Sequence, residues 1–411
     1  MTDTAIEEVI SRIDSASLIR FVQELVRIPT PNPPGEEQPA AECVADRMRK
    51  IGLETTMQEV DRKRSNVIGI LKSKSHRPAL LIESHMDTVP IGSRDKWIVD
   101  PFSGQVRDGK IYGRGSSDDK GGVGIMVEAA KALKDSGIKL NRDVIFAALV
   151  DEEGLMRGVK HLIKSGMTKN VTDCISADGW TSQTLRTSFC GGTCGYIHVF
   201  GRTGHAGNYP PLGKGLNAIH KASKLIAEID RFEPRHTPHP MFNHSHWQCL
   251  SIESGWDLRH AFIVPIPDIV TIAVDAELVP GHDPDDVWRH MQEIILGLKE
   301  QDKEFDAEIE VVEKRPSWTI SKNAPVIHAL QAAYKEMNGN PPQLDEYPEN
   351  PPKWIMDIHW LAYEGIDCQP LVALKPPFYE NFAHAANEFA KIDDLVTATK
   401  IMSSAIVKLC A

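Results

Sequence analysis

Histidine and carboxylate side chains concentrate in five short segments of this 411-residue chain. The segments are SHMDTVP (84–90), GRGSSDDKGG (113–122), DEEG (151–154), SADGW (176–180) and FAHAANE (382–388). Imidazole and carboxylate ligands without cysteine suit zinc, cobalt or manganese. The residue types therefore predict a metal centre, and an open ligand position there would hold the water that a hydrolytic reaction needs.

His85 and Asp87 follow the apolar run ALLIE (79–83) and are two residues apart. On a strand, residues with this spacing point to the same side. An isolated histidine is more often a structural residue than a metal ligand, and Asp87 could simply cap the turn before Pro90. The presence of the other four segments favours the metal site.

Glu152 and Glu153 are adjacent, so one can bind a metal while the other takes a proton from the metal-bound water. Two metals about 3.5–4 Å apart need a bridging carboxylate. Together they can bind both the attacking and the leaving oxygen of a displacement reaction. DEEG could also be an acidic helix start that the helix dipole stabilises. Both roles can hold at once.

Alternating strands and helices surround these segments. Strands are predicted at 66–71, 79–83, 142–150 and 173–177, with helices at 121–137 and 155–166. A proline-rich loop, PTPNPPGEEQP (29–39), precedes them. The alternation predicts an α/β fold with a mostly parallel sheet and helices on both faces. Loops at the carboxyl ends of such strands converge on one crevice, so the five segments are expected to meet there.

The pattern changes near residue 187. Strands are predicted within 187–204, 267–278 and 306–313, and helices at 213–230 and 283–300. This is an α+β module of ordinary domain size, inserted into the larger α/β domain. The predicted domains are 1–186 with 298–411, and the insertion 187–297.

Composition limits the class of partner and the compartment. The 46 basic and 57 acidic residues leave a net charge of −11, which argues against nucleic acid and anionic membrane as main partners. Seven scattered cysteines without a CxxC pair favour a reduced, cytoplasmic setting. The acidic N-terminus is unlike a signal peptide, and the apolar runs are too short to span a bilayer.

Five motifs in order, over nearly the whole chain, resemble the co-catalytic zinc metallopeptidases. They are SHMDTVP, GRGSSDDKGG, DEEG, GRTGHAG (201–207) and AHAANE. That family includes aminoacylases, acetylornithine deacetylases, succinyl-diaminopimelate desuccinylases and glutamate carboxypeptidases. The resemblance implies an α/β zinc-hydrolase domain with a central, mostly parallel mixed sheet, and an inserted α+β dimerisation or lid domain.

The resemblance also implies which side chains hold two divalent metal ions, most simply zinc, with cobalt or manganese as alternatives. His85, Asp118 and Asp178 would hold one metal. Asp118 would bridge to the second metal, which Glu153 and His384 would complete. Aspartate at position 178 is typical of the peptidase-like branches, whereas other members often have glutamate there.

Three further residues receive roles from the resemblance. Glu152 would be the general base, and later the acid toward the leaving amine. Asp87 would support His85 and fix its tautomer. His205, in the inserted domain, would reach the partner subunit's active site in a homodimer and stabilise the oxyanion there.

The substrate-binding part departs from the family pattern. Where the family has asparagine and then arginine to grip the substrate's carboxylate, a hand alignment places Val264 and Glu277. A glutamate repels a carboxylate rather than clamping it. The hypothesis is that the substrate is not a standard N-acyl amino acid held by its α-carboxylate.

A second departure lies in NPPKWIMD (350–357), which replaces a loop rich in glycine and serine. The candidate substrate-binding residues are therefore Lys353 and Trp354, together with Arg259 and Glu277. We also interpret the histidine-rich segment HTPHPMFNHSHW (236–247) as a polar loop rather than a further metal site.

The sequence thus predicts a metal-dependent hydrolase that cleaves an amide-type C–N bond of a small molecule, as an N-deacylase or carboxypeptidase would. One alternative is a hydrolase of a non-peptide C–N bond, such as an aryl amine or carbamoyl group, and another is a dipeptidase. A non-catalytic binding homologue is less favoured, because Glu152 and the ligand set are complete. No Gly-x-Ser-x-Gly elbow is present, which disfavours a serine hydrolase.

Overall fold

The computed structural model describes residues 2–75, 77–205, 215–233, 235–255, 265–345, 355–374 and 383–411. Its helices are α1 Thr2–Ser11, α2 Ser15–Val26, α3 Gln38–Ile51, α4 Lys120–Ser136, α5 Arg157–Lys164, α6 Ala218–Ile229, α7 Pro284–Gln301, α8 Pro325–Asn338, α9 Ile358–Tyr363 and α10 Ile392–Cys410.

The strands are β1 Glu54–Asp61, β2 Arg64–Leu71, β3 Ala79–His85, β4 Gln105–Arg107, β5 Lys110–Tyr112, β6 Val144–Leu149, β7 Val171–Ser176, β8 Thr184–Leu185, β9 Ser188–Phe189, β10 Gly191–Phe200, β11 His246–Glu253, β12 Ile269–Leu278, β13 Asp306–Arg315, β14 Trp318–Thr319, β15 Gln343–Leu344, β16 Asp367–Pro370 and β17 Phe389–Lys391.

The chain forms two compact units. The first unit comprises Met1–Thr187, Ile320–Glu346 and Met356–Ala411, and the second unit is built on Ser188–Thr319. The second boundary therefore follows Thr319, whereas the sequence analysis placed it at 297. The reason is pairing: β13 runs antiparallel to β10 along its length, so both α7 and β13 stay with the second unit.

The first unit is built on a six-stranded sheet in the order β1-β2-β6-β3-β7-β16. The β6, β3, β7 and β16 strands are parallel, and β1 and β2 add antiparallel pairs at one edge. Strands β3 and β6 are buried along their whole length, as expected for a sheet that is covered on both faces. The predicted mostly parallel mixed sheet is confirmed.

The second unit is an antiparallel four-stranded sheet in the order β11-β12-β10-β13. Alternate residues of β12, from Val270 to Leu278, are buried. They pack with one face each of α6 and α7, around Leu225 and Met291. One face of the sheet thus carries the core, which explains the strict alternation in this segment.

Candidate active site

Adjacent strand ends position most of the predicted site. His85 is the last residue of β3, Glu152 lies just beyond β6, and Asp178 lies two residues beyond β7. Because these three strands are parallel neighbours, their carboxyl ends meet at one edge of the sheet. Asp118 comes from the turn before α4, and His384 from the segment before β17.

Asp118 lies between two histidines. Its Oδ1 is 3.2 Å from Nε2 of His85, and its Oδ2 is 3.2 Å from Nε2 of His384. The same His384 nitrogen is 3.2 Å from Oε1 of Glu153. A carboxylate that turns one oxygen to each of two imidazoles has the disposition of a bridging ligand between two ions.

Two overlapping groups of potential ligand atoms lie around His85. The first joins His85 with Asp118 and Glu153, and the second joins it with Asp119 and Asp178, each within 4.8 Å. Together with His384, all five predicted ligands are therefore gathered in the first unit. Asp119 is an addition, since it is not among the five predicted ligands.

Burial and like charges perturb the acids of this cluster. Burial, reinforced by neighbouring carboxylates, raises the pKa of Asp178 to about 8. Burial likewise raises the pKa of Glu152 well above its usual value. Hydrogen bonds to Asp118 and Glu153 raise the pKa of His384 to about 10. Without metal, the acids must hold protons or pair with imidazolium, and divalent cations would fit in place of those protons.

Unpartnered oxygens support the same fit. Oδ1 of Asp119 and both carboxylate oxygens of Asp357 are buried without a hydrogen-bond partner among the described residues. Burial raises the pKa of Asp357 well above its usual value, and the charges of Asp87 and Asp178 add to that rise. Buried polar groups normally have partners, so this surplus of carboxylate oxygen suits a cation-binding site.

Asp87 supports two parts of the site at once. Its main-chain oxygen lies 3.0 Å from Nδ1 of His85, whereas its carboxylate oxygen is 3.6 Å from the same nitrogen. Nδ1–H of His85 can donate to the main-chain oxygen, which leaves Nε2 free as a ligand. The Asp87 carboxylate instead accepts the backbone N–H groups of Glu152 (3.1 Å) and Glu153 (3.2 Å).

Glu388 positions Asp118, although the sequence analysis did not select it. Its Oε1 accepts hydrogen bonds from the backbone N–H groups of Ser117 (2.9 Å) and Asp118 (3.2 Å). Its Oε2 accepts from Nη1 of Arg114 at 2.6 Å, and both side chains are buried. In the sequence, the only sign of this positioning role was the glutamate that ends the AHAANE motif. Only the fold shows that it reaches the turn at Asp118.

The predicted substrate residues are not gathered with the metal ligands within the first unit. His205 and Glu277 belong to the second unit, where Oε2 of Glu277 lies 3.0 Å from Nε2 of His246 on the neighbouring strand. The remaining predicted positions, Arg259, Val264, Lys353 and Trp354, lie outside the described residues. Their roles stay predictions.

The histidine-rich segment borders a cavity of about 450 Å³ in the second unit. The rings of His236 and His282 stack there with centroids 4.7 Å apart. The backbone N–H of Met241 donates to Nδ1 of His239. Within the described ranges, groups of three potential metal-ligand atoms occur only around His85. Residues 236–245 lie outside helices and strands, as predicted for a loop, whereas His246 and Trp247 begin β11.

In the described part of the chain, the helices are all too short or too polar to cross a lipid bilayer.

Comparison with known proteins gives consistent results. Over 449 aligned residues the chain is 26% identical to N-formyl-4-amino-5-aminomethyl-2-methylpyrimidine deformylase from Halalkalibacterium halodurans, covering 99% of this chain and 98% of the relative. The fold is similar to the dipeptidase Dug1p of Saccharomyces cerevisiae (TM-score 0.80, 16% identity, 98% of both chains covered).

It is also similar to the YXEP protein of Bacillus subtilis, a dinuclear metal binding peptidase (TM-score 0.64, 14% identity, 96% of this chain and 98% of that chain covered). The sequence model of Peptidase family M20/M25/M40 matches residues 81–408, which is well over half of the chain. These matches confirm the predicted family and fold class. The chain therefore belongs to Peptidase family M20/M25/M40 and is a hydrolase of C–N bonds.

Proposed function

We propose that this protein is an N-deacylase that uses two divalent metal ions to cleave an amide-type C–N bond. His85, Asp118 and Asp178 would hold one ion, and Asp118, Glu153 and His384 the other. The observation that carries the proposal is Asp118, whose two oxygens face His85 and His384 at 3.2 Å each. The nitrogen and oxygen donors favour zinc, with cobalt or manganese as substitutes.

Glu152 is the proposed general base. When bound, the metals supply Lewis acidity toward the amide carbonyl and acidify water. Glu152 accepts the proton of the attacking water and then delivers it to the nitrogen of the leaving amine. Its carboxylate is buried, with Oε2 4.0 Å from Nε2 of His85, and burial raises its pKa well above the usual value of a glutamate.

The proposed substrate is an acylated amine without an α-carboxylate grip. In the family pattern arginine would occupy the position of Glu277, whereas here a carboxylate pairs with His246 at 3.0 Å. A relative that covers 99% of this chain is a deformylase of an aminomethylpyrimidine, and its name describes a formyl group on an amine. The first observation disfavours a substrate held by its α-carboxylate, and the second favours a small acyl group on an amine-bearing heteroaromatic or similar compound.

We further propose that the enzyme is a cytoplasmic homodimer. The second unit would form the dimer interface, and His205 would stabilise the oxyanion in the partner's site. The seven cysteines are scattered without a CxxC pair and four of them are buried, a pattern that fits a reducing compartment. Sedimentation analysis of the purified protein tests the dimer. Restored activity in a mixture of His205→Ala and Glu152→Gln subunits would show that the histidine acts across the interface.

A substrate panel tests the reaction. The zinc-loaded protein is assayed with N-formyl and N-acetyl derivatives of aminomethyl heteroaromatics, and in parallel with N-acetyl amino acids, dipeptides and aryl carbamates. We expect hydrolysis of the first group, and loss of activity on chelation. Faster turnover of N-acetyl amino acids or dipeptides would overturn the proposed substrate class. No turnover of any compound would overturn the N-deacylase assignment.

A further inference from the structure

The proline-rich loop lies against the strand end that carries the site. The backbone N–H of Thr88 donates to the main-chain oxygen of Thr30 at 3.0 Å. The backbone N–H of Asn32 donates to the main-chain oxygen of Thr88 at 2.8 Å. The hydroxyl of Thr30 donates to the main-chain oxygen of Met86 at 2.8 Å. These bonds place the Asn32 side chain behind Asp87.

The Asn32 amide bridges two carboxylates. Its Nδ2 is 2.8 Å from Oδ2 of Asp87 and 2.9 Å from Oδ1 of Asp151, and Asn32 is only 8% exposed. One NH₂ group carries two hydrogens, so it can donate to both acids at once. The Oδ2 of Asp87 that accepts from Asn32 also accepts the backbone N–H of Glu153, and its Oδ1 accepts that of Glu152.

The surroundings of Asp151 are equally fixed. The guanidinium groups of Arg64 and Arg157 contact its two oxygens at 2.9 Å and 2.7 Å. A β-carbon at Gly154 would lie 2.6 Å from Oδ1 of Asp151 and 2.9 Å from Nδ2 of Asn32. Only glycine fits at that position beside the amide, which explains the last letter of DEEG.

We propose that Asn32 is a positioning residue for the glutamate pair, acting through Asp87. It neutralises no charge itself. Instead, one N–H of its amide holds the Asp87 carboxylate while the other is anchored on Asp151. The Asp87 carboxylate in turn fixes the backbone from which Glu152 and Glu153 project. The inference rests on the proposed function for the role of Glu152, and on the metal-binding role proposed for Glu153. Outer hydrogen-bond partners of this kind typically affect metal affinity or activity 10–100-fold.

The test compares Asn32→Ala and Asn32→Asp with the wild-type protein and with Tyr334→Phe. The aspartate keeps the shape of asparagine but turns an oxygen, not an N–H group, toward Asp87 and Asp151. Tyr334→Phe is the matched control, because it deletes one buried hydrogen bond of the first unit, from the hydroxyl to the main-chain oxygen of Leu374 at 2.6 Å. We measure kcat, KM, thermal stability and zinc affinity.

We expect kcat of Asn32→Ala to fall about 10–100-fold with KM changed less than about twofold, and Asn32→Asp to lose more. Zinc affinity should fall about tenfold or more at one of two sites, because the Asp87 carboxylate that anchors Glu153 loses the N–H donor that orients it. Tyr334→Phe should lose stability but keep kcat. A purely structural role for Asn32 would instead lower stability and leave kcat of the folded protein unchanged.

Two results separate this inference from the proposed function. If the wild-type protein hydrolyses the panel and Asn32→Ala keeps its kcat within about twofold, the positioning role is wrong while the proposed function stands. If the wild-type protein hydrolyses nothing, the proposed function fails, and zinc titration alone decides the inference. Equal zinc affinity in the wild-type and Asn32→Ala proteins would then overturn it.

Discussion

Replacing Glu388 with glutamine should destabilise the first unit strongly. The Glu388 carboxylate is fully buried and accepts four hydrogen bonds, from Arg114, from Asp118 and from the backbone and hydroxyl of Ser117. Arg114 is itself 1% exposed, so the glutamine would leave a guanidinium charge buried without its carboxylate. Breaking a buried pair by removing one partner costs about 3–5 kcal/mol.

The assay is thermal unfolding of the metal-free protein, so that changes in metal binding do not contribute. A cost of about 3–5 kcal/mol corresponds to a Tm lower by about 6–20 °C, at about 2–4 °C per kcal/mol for a domain of this order of size. Arg114→Met and the double variant Arg114→Met/Glu388→Gln complete a double-mutant cycle. The double variant should be less destabilised than the sum of the two single variants.

A loss below about 1 kcal/mol for Glu388→Gln would refute the reasoning, because that is the range of exposed ion pairs. Strictly additive single variants would refute it as well. The zinc-loaded variant supplies a second check: the backbone N–H of Asp118 would donate to a neutral amide oxygen in place of a carboxylate, and this bond is weaker, so metal affinity should fall together with stability. An unchanged affinity would mean that Glu388 does not position the proposed bridging carboxylate.

Three other outcomes follow from the site. Glu152→Gln should keep its zinc content by elemental analysis and lose kcat by at least about 100-fold, and retained turnover would exclude Glu152 as the base. The free energy of unfolding of the metal-free protein should decrease as pH rises from about 4 to about 8. In this window folded Asp178, whose pKa is about 8, keeps a proton that the unfolded chain releases. Its contribution to stability is therefore full below the window and is lost as pH rises through it. Calorimetry across pH should also show that zinc flattens this slope. Asp357→Asn should raise Tm of the metal-free protein at pH 8 or above, since it removes a buried acid whose oxygens lack partners, and an unchanged Tm would mean that the acid is already solvated or paired.

The sequence predicted the helices and strands that have a clear pattern of apolar residues. Strands β3 and β6 are buried on both faces and therefore appear as unbroken apolar runs. Strand β1 was missed because it is an edge strand with alternating exposed and half-buried residues and little apolar character. Helix α1 was described only as a polar, acidic start, since few of its residues reach the core.

The sequence by itself predicted the candidate metal-ligand set and the sheet that gathers it. Residue type limits which side chains can bind a cation, and parallel neighbouring strands bring their carboxyl ends to one edge. Only the tertiary structure showed which residues form hydrogen bonds that hold these ligands and their neighbours in position. Asn32 meets Asp151 across 119 residues, and Glu388 meets Asp118 across 270. Contacts between residues so far apart leave no periodic trace in the sequence, because they depend on how loops pack after the strands have paired.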